Sequence, residues 1–438
     1  MKVSISGVRG IYSDSDLNLH EVTKFSDSFS SLIKSGKCTL ARDTRPSGRV
    51  LSEVVGSALM GSGIDVYNLG IAPTPAAFRE ARKTGAAIIV TASHNPLEWN
   101  GLKFVVGGRG LFESELEAMQ KAARREAVPP VFGKEYPAES TYVDDIVSLT
   151  LSSRSSSPVS VAVDSGGGAG CGYSEALFKK ISKRVISVNG IQGISSRGPD
   201  PTVDELSDLR AIVTSNKLDV GFALDLDADR LVVVSESGEK LNSDATLLLS
   251  IARTIEMGMK KFVTSIDTSV AIARYVKEHG GTITQSKVGE ANVVNEMLKQ
   301  GADAGGEGSS AGFIMPSFNM CRDGLLAAAT ISTLERDRAK QVLKFASQFS
   351  QVRSKIPADS ALHGRVIEKL PEILGRDASE VITIDGVKAI MDESSWVLVR
   401  PSNTEHAIRV SAESSAERAD SLYKWASQKV LQVYEQIK

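Results

Sequence analysis

The chain of 438 residues carries 51 basic and 53 acidic side chains, for a net charge of −2, with 42% apolar and 24% charged residues. At roughly 100–200 residues per domain this length predicts three domains or four small ones, each able to bury a core. A balanced charge and only 5% aromatic residues supply neither the basic field nor the stacking platforms of a nucleic-acid binder, and no apolar run approaches the roughly 20 residues of a membrane span. The opening MKVSISGVRG has no apolar signal region, and Cys38, Cys171 and Cys321 are odd in number and widely spaced. These features predict a cytoplasmic chain whose cysteines are reduced packing residues, with no membrane and no nucleic-acid partner.

In chain order, short apolar runs at 38–41, 86–90, 159–163, 220–224, 231–234 and 262–266 end abruptly in small or charged residues and read as buried strands. Helical patterns at 51–62, 114–125, 246–257, 271–279 and 291–300 lie between them, which predicts βαβ units and a mostly parallel sheet. A Pro-rich stretch at 127–142 and the polar break at 152–158 place the end of a first unit near 148. A second unit, 149–245, ends after the turn Ser237-Gly238, and a third, 246–354, ends at Ser354-Lys355-Ile356-Pro357-Ala358. From 355 to 438 the pattern changes to short strands at 381–384, 397–399 and 408–410 and an amphipathic helix at 416–437, as in a small α+β domain.

Asp43, Asp164 and Asp267 each end a predicted strand and are each followed by Thr or Ser, at separations of 121 and 103 residues. Three diverged copies of one α/β unit would explain this, and so would a recurrent strand-to-helix cap.

Four segments carry chemistry. Thr91-Ala92-Ser93-His94-Asn95-Pro96 follows the predicted strand 86–90. A serine at the C-terminal end of a parallel strand lies where such sheets place ligands, and its hydroxyl is a weak nucleophile until activated. The plainer reading is a turn fixed by Asn95-Pro96, with His94 a loop histidine. Asp225-Leu226-Asp227-Ala228-Asp229-Arg230 sits between two predicted strands. In extended chain its carboxylates share a face, roughly 6.6 Å apart at about 3.3 Å per residue. Each neighbouring pair then repels by roughly 2–3 kcal/mol at an effective dielectric of about 20. Full exposure relieves this, and so does a divalent cation; hard oxygen donors suit Mg²⁺. A calcium-loop reading fails, because Arg230 stands where the EF-hand requires glycine. Asp225 as the nucleophile of a haloacid-dehalogenase-type phosphatase is a weaker fit, since Asp229 stands where such proteins usually show Thr or Val.

The glycine-rich segment 305–312 lets backbone approach a ligand, with Glu307 and Ser309 able to bond vicinal sugar hydroxyls; a solvated loop reads equally well. Arg400-Pro401-Ser402-Asn403-Thr404-Glu405 is either a phosphate cradle or an exposed polar turn. The cluster at 166–172 satisfies neither GxGxxG nor Walker A, so nucleotide binding has little support.

Taken in order, SGVRG at 6–10, ARDTRPSG at 41–48, TASHNPLEWNGLKF at 91–104, DLDADR at 225–230, GGEGSS at 305–310 and RPSNTE at 400–405 resemble the α-D-phosphohexomutase superfamily along the whole chain. The resemblance implies three similar mixed α/β domains plus a smaller C-terminal α+β domain around a central active-site cleft. It implies an isomerase that interconverts hexose 1- and 6-phosphates through a phosphoserine at Ser93 and a hexose 1,6-bisphosphate, which serves as intermediate and activator. Ser93, Asp225, Asp227 and Asp229 would hold one Mg²⁺; Arg9, His94, Lys103 and Arg230 would join Ser93 in catalysis. Glu307 and Ser309 would bind the sugar, Arg400, Ser402, Asn403 and Thr404 the non-reacting phosphate, and Lys287 and Arg409 would be further substrate-binding residues. Small sugar phosphates are the expected partners of a monomer or homodimer. One departure stands out: Ala311 occupies the place of the family histidine in Gly-Glu-x-Ser-Gly-His, so Lys103 and His94 become candidates for proton transfer. The GGEG form, with CRDG at 321–324, tilts the expected substrate toward glucosamine phosphate, with glucose or mannose phosphates as the alternative. A sugar phosphatase and a non-catalytic sugar-phosphate binder are the remote readings.

Overall fold

The computed structural model describes residues 1–122, 131–153, 156–402 and 406–438. Three sheets repeat one path. In the first, Lys37–Arg42 is central, parallel to Asp65–Ile71 on one side and Ala86–Val90 on the other, and Ala86–Val90 pairs antiparallel with Trp99–Val106. In the second, Ser160–Asp164 takes the central place between Arg184–Val188 and Val220–Leu224, with Leu231–Ser235 antiparallel at the edge. In the third, Lys261–Ser265 lies between Thr282–Ser286 and Ala304–Glu307, with Gly312–Ile314 antiparallel. The recurrent Asp-Thr/Ser thus marks the end of the central strand in three units of common topology. The sheets are mixed where a mostly parallel sheet was expected, because the fourth strand of each unit returns by a short loop instead of a crossover helix. Those three return loops hold Ser93, the aspartate triplet and the residues after Glu307, so the repeat places three chemical segments at equivalent positions.

The apolar runs behave as buried strands should. Ala86–Val90 is buried at all five positions, as expected of a strand covered on both faces. The second and third units share one continuous core, in which Phe178 and Phe222 meet the same cluster as Leu248, Ile272 and Phe313. The helix Gly324–Ile331, buried along its whole length, lies within it. All three cysteines are free and buried.

The fourth unit is an antiparallel sheet in the order Ser350–Pro357, Ala407–Ser414, Ser395–Pro401, Val387–Asp392, Glu380–Ile382. The helices His363–Gly375 and Ala416–Ile437 contribute to a core of its own. Domain limits drawn from composition at 148, 245 and 354 fall inside elements. The first cuts the helix Tyr142–Ser153, which packs on Tyr173–Ile181 and so goes with the second unit. The others cut the helix Ser243–Glu256 and the strand Ser350–Pro357, whose pairing with Ala407–Ser414 assigns it to the fourth. No described helix is long and apolar enough to cross a membrane.

Candidate active site

Ser93 is fully buried and has φ +53°, a left-handed conformation that costs a non-glycine residue roughly 1–3 kcal/mol. The surroundings hold it there. Its N–H donates to Thr91 Oγ1 at 2.8 Å, and Thr91 in turn donates to Asp43 Oδ2 at 2.6 Å. Arg45, buried against Asp43 at 3.0 Å, donates to the carbonyls of Ser93, Asn95, Pro96 and Trp99. This Asp43–Arg45 pair, from the ARDTR segment, therefore shapes the loop that presents Ser93.

The Ser93 hydroxyl donates to Asp225 Oδ2 at 3.0 Å, joining the first unit to the second. The segment 225–230 is a turn where extended chain was expected, closed by Ala228 N–H on the Asp225 carbonyl at 3.0 Å with Ala228 at φ +58°. Turning brings one oxygen from each of Asp225, Asp227 and Asp229 within 4.8 Å of the others, closer than the extended spacing. At an effective dielectric of about 20 each charged pair would repel by at least about 3.5 kcal/mol. Burial, then Asp229 and Asp227, holds the Asp225 carboxyl well above its ordinary range. Lys103 Nζ donates to Asp227 Oδ2 and Asp229 Oδ2, both at 2.7 Å, and Thr74 Oγ1 donates to Asp227 Oδ2 at 2.6 Å. The Oδ1 atoms of Asp227 and Asp229 are buried with no hydrogen-bond partner among the described residues. Orphaned acceptors amid three crowded carboxylates form an all-oxygen ligand set for a metal ion.

Cations surround this cluster. Arg9 lies opposite Gly101 in the antiparallel pair Gly7–Ile11 and Trp99–Val106. A Cβ at Gly101 would meet the Val8 carbonyl oxygen at 2.2 Å and Arg9 Cγ at 3.1 Å, so only glycine fits beneath this arginine. Arg9 is half-buried, within the electrostatic reach of Asp227 and Asp229. Arg230 Nη2 and His94 Nε2 are 3.5 Å apart, and His94 Nδ1 is 3.5 Å from Ser93 Oγ. Burial first, then Arg230, lowers the His94 pKa to about 3, so the imidazole is neutral near pH 7. Burial pulls the Lys103 ammonium down, but Asp227 and Asp229 outweigh it and hold the net shift upward. Lys103 is therefore a fixed positive charge in this arrangement.

On the third unit, Glu307 is buried; Gly289 N–H donates to Oε1 at 2.7 Å and Arg322 Nη1 to Oε2 at 3.3 Å. Burial raises its pKa, against the pull of Arg322. Ser309 is half-buried and Lys287 exposed. On the fourth unit, Arg400 and Arg409 are directly opposite across paired strands, a like-charge juxtaposition suited to an anion between them. Arg400 Nη2 is 2.7 Å from Asp385 Oδ2, which also accepts from Val288 N–H at 2.9 Å. Ser402 is buried at the end of this strand; Asn403 and Thr404 lie outside the described residues.

The structure thus brings Ser93, Lys103 and the three aspartates into one buried cluster, with His94 and Arg230 half-buried at its edge. It places Arg400, Ser402 and Arg409 on a separate element reached through the 287–290 turn. Sequence reading passed over Thr74, Arg45 as a loop clamp, Glu290, Asp385 and Arg322. Arg322 had a signal in CRDG, where a buried position just before a helix-capping aspartate carries a guanidinium.

Phosphoglucomutase/phosphomannomutase family models match in four pieces. The alpha/beta/alpha domains I, II and III cover residues 1–127, 140–238 and 242–352, and the C-terminal domain covers 352–424. The chain belongs to the phosphoglucomutase/phosphomannomutase family. A probable phosphoglucosamine mutase of Pyrococcus abyssi is 32% identical over 446 residues, covering 97% of this chain and 96% of that protein. Among solved structures, a phosphoglucomutase/phosphomannomutase family protein from Burkholderia thailandensis shares the fold, with TM-score 0.83, 23% identity and 98% of each chain covered. N-acetylphosphoglucosamine mutase of Aspergillus fumigatus, solved with GlcNAc-6P and magnesium, follows with TM-score 0.56, 16% identity, and 91% of this chain and 83% of that one covered.

Proposed function

We propose that this chain is a phosphohexomutase that interconverts glucosamine 1- and 6-phosphates. The observation that carries the reading is the Ser93 hydroxyl, 3.0 Å from Asp225 in a buried aspartate triplet that Arg322 ties to the buried Glu307 of the third unit. The P. abyssi relative supports the amino sugar over glucose or mannose.

Asp225, Asp227 and Asp229, with a phosphoserine oxygen, would hold Mg²⁺; the A. fumigatus neighbour, solved with magnesium, supports that choice. When bound, the ion supplies charge neutralisation at the phosphoryl oxygens. The chain's own residues do the rest. The left-handed backbone at Ser93 fixes the hydroxyl's direction, so little reorganisation is needed during transfer. Arg9, Arg230 and Lys103 compensate charge spread over the transferring phosphoryl group, where positioning and electrostatics do most of the catalysis. His94, neutral and with Nδ1 3.5 Å from Ser93 Oγ, is placed to relay the proton that Ser93 Oγ gains or loses as the phosphoryl group leaves or returns. The free hydroxyl of the sugar monophosphate attacks phospho-Ser93, the Oγ–P bond breaking as the sugar O–P bond forms and the sugar's proton passing to Ser93 Oγ. The 1,6-bisphosphate turns over, and Ser93 Oγ takes the other phosphoryl group while its proton returns to the sugar oxygen. Arg400 and Arg409 can grip either phosphate because both present the same oxygens.

A 31P NMR panel of glucosamine, N-acetylglucosamine, glucose and mannose phosphates, each with Mg²⁺ and its bisphosphate, tests this. Interconversion fastest for glucosamine phosphate without free phosphate is the expected result. Net release of inorganic phosphate would identify a phosphatase, and absence of both would leave a binding protein.

A further inference from the structure

Arg322 stands where the aspartate loop, the sugar loop and the 287–290 turn converge. Its Nη2 donates to Asp229 Oδ2 at 2.9 Å and its Nη1 to Glu307 Oε2 at 3.3 Å. Its Nε and its backbone N–H both donate to Glu290 Oε2, at 3.2 and 2.9 Å. The stem reaches this point by passing over Gly312, where an added Cβ would sit 2.2 Å from Arg322 Cδ. The small pair Ala311-Gly312, at the point where the family histidine is absent, therefore leaves room for an arginine arriving from elsewhere in the chain.

Three carboxylates around one guanidinium is a demanding arrangement, which the planar fork of arginine satisfies in three directions and a lysine ammonium on a shorter stem does not. With Gly289 N–H on Oε1 and Arg322 on Oε2, both Glu307 oxygens are directed and the buried carboxylate keeps a counter-charge. We propose that Arg322, itself oriented by Glu290, is a positioning residue that sets Glu307 for the hexose hydroxyls and ties the sugar loop to the aspartate loop through Asp229. This rests on the phosphohexomutase reading above for the identity of the ligand.

The test uses Arg322→Met, Arg322→Lys and Glu290→Gln in the full chain. Sugar-phosphate affinity is read by calorimetry in a Ser93→Ala background, so it does not depend on turnover, and Mn²⁺ affinity is read on the same proteins. Arg322→Met is expected to weaken sugar-phosphate binding and raise KM by about tenfold or more, with a smaller fall in kcat, as loss of ground-state binding requires. Mn²⁺ affinity is expected to hold or improve, because a cation leaves the side of Asp229. Arg322→Lys should recover part of the KM. Sugar binding within about twofold of wild type, or sugar and Mn²⁺ affinity falling together with thermal stability, overturns the proposal in favour of a framework role. Should Arg322→Met fail to fold, Glu290→Gln decides: a KM raised about threefold with unchanged Mn²⁺ affinity supports it, and an unchanged KM overturns it. A wild-type protein that binds sugar phosphate without interconverting it would sink the mutase reading while leaving the Arg322 comparison measurable.

Discussion

Around Ser93, Asp225, Asp227, Asp229 and Lys103 are buried and Ser93 sits in a strained turn clamped by Arg45. At the fourth-domain end, Arg409 is exposed and, among the described residues, Arg400 leans on the carboxylate of Asp385. The attachment differs as well. The second and third units share a continuous core, whereas the fourth meets the third through a small apolar contact of Ile266, Trp396 and Leu398 with a polar network around it. Transfer of a phosphoryl group gains from fixed, desolvated charges that need no reorganisation. Gripping a phosphate that must be released, turned over and regripped gains from solvated charges on an element that can adjust.

The comparison is broken most severely at Ser93. Ser93→Ala is expected to reduce interconversion by about 10⁴-fold or more, by analogy with loss of other covalent nucleophiles. The 31P assay reads the rate, and intact-mass measurement reads the loss of the phosphorylated form; near-normal rates would remove Ser93 from the mechanism. Chelation of Mg²⁺ comes next. The orphaned Oδ1 atoms of Asp227 and Asp229 predict a fall of about 10³-fold in EDTA, restored by added Mg²⁺. Turnover unaffected by the chelator would show that Lys103 and the arginines suffice for charge balance.

Sequence alone made the Ser93 end readable because its groups are local: Ser93-His94-Asn95-Pro96 and the Asp-x-Asp-x-Asp triplet each sit within one loop. The shape of the triplet was not readable. Alternation in extended chain was the natural inference, but Ala228 takes a positive φ that no local propensity announces, and the loop curls. The strand ends at Asp43, Asp164 and Asp267 did carry the triplication, because one topology imposes one cap position three times. What stayed hidden is long-range: Thr74 reaches Asp227 across 153 residues and Arg322 reaches Asp229 across 93. Asp385, on the turn between Glu380–Ile382 and Val387–Asp392, meets Arg400 only because the fourth sheet folds. A lone charged residue on a loop offers no pattern until the fold supplies its partner.

A milder break is expected at the fourth-domain end. Arg400→Ala should raise KM by about 10–100-fold with kcat changed by less than about fivefold, since it removes binding common to ground and transition states. It should also increase the dependence on added 1,6-bisphosphate, because a weakly held intermediate escapes before it is regripped. Asp385→Asn, which keeps an acceptor for Val288 N–H but removes the counter-charge that holds Arg400, should raise KM only about threefold. Steady-state kinetics with and without added bisphosphate separate these effects. A large kcat loss in Arg400→Ala with unchanged KM would place this arginine with the transfer machinery and erase the contrast.

The smallest effect on turnover, and the sharpest on the attachment, concerns Lys388. This side chain is buried in the contact between the third and fourth units, with Nζ 2.7 Å from the Ile266 carbonyl oxygen and 4.3 Å from the Trp396 ring centroid. Burial lowers its pKa from 10.5 to about 8, against the pull of Glu413, Asp267 and Asp244. Above pH 10.5 both the folded and the unfolded chain carry a neutral amine, and Lys388 imposes no ionisation penalty. As pH falls toward 8 the unfolded chain takes up the proton first, so stability is lost across that window and is constant below it. By linkage the whole loss is about 3 kcal/mol. Lys388→Met removes the titration together with the hydrogen bond to Ile266, so its stability relative to wild type has a fixed part and a pH-dependent part. Thermal melts of both proteins from pH 7 to 10 should show the variant losing ground to wild type by a few degrees as pH rises. A difference in Tm that stays flat across that range would mean that water reaches this contact, making the fourth domain's seat on the third far wetter than the buried Lys388 side chain describes.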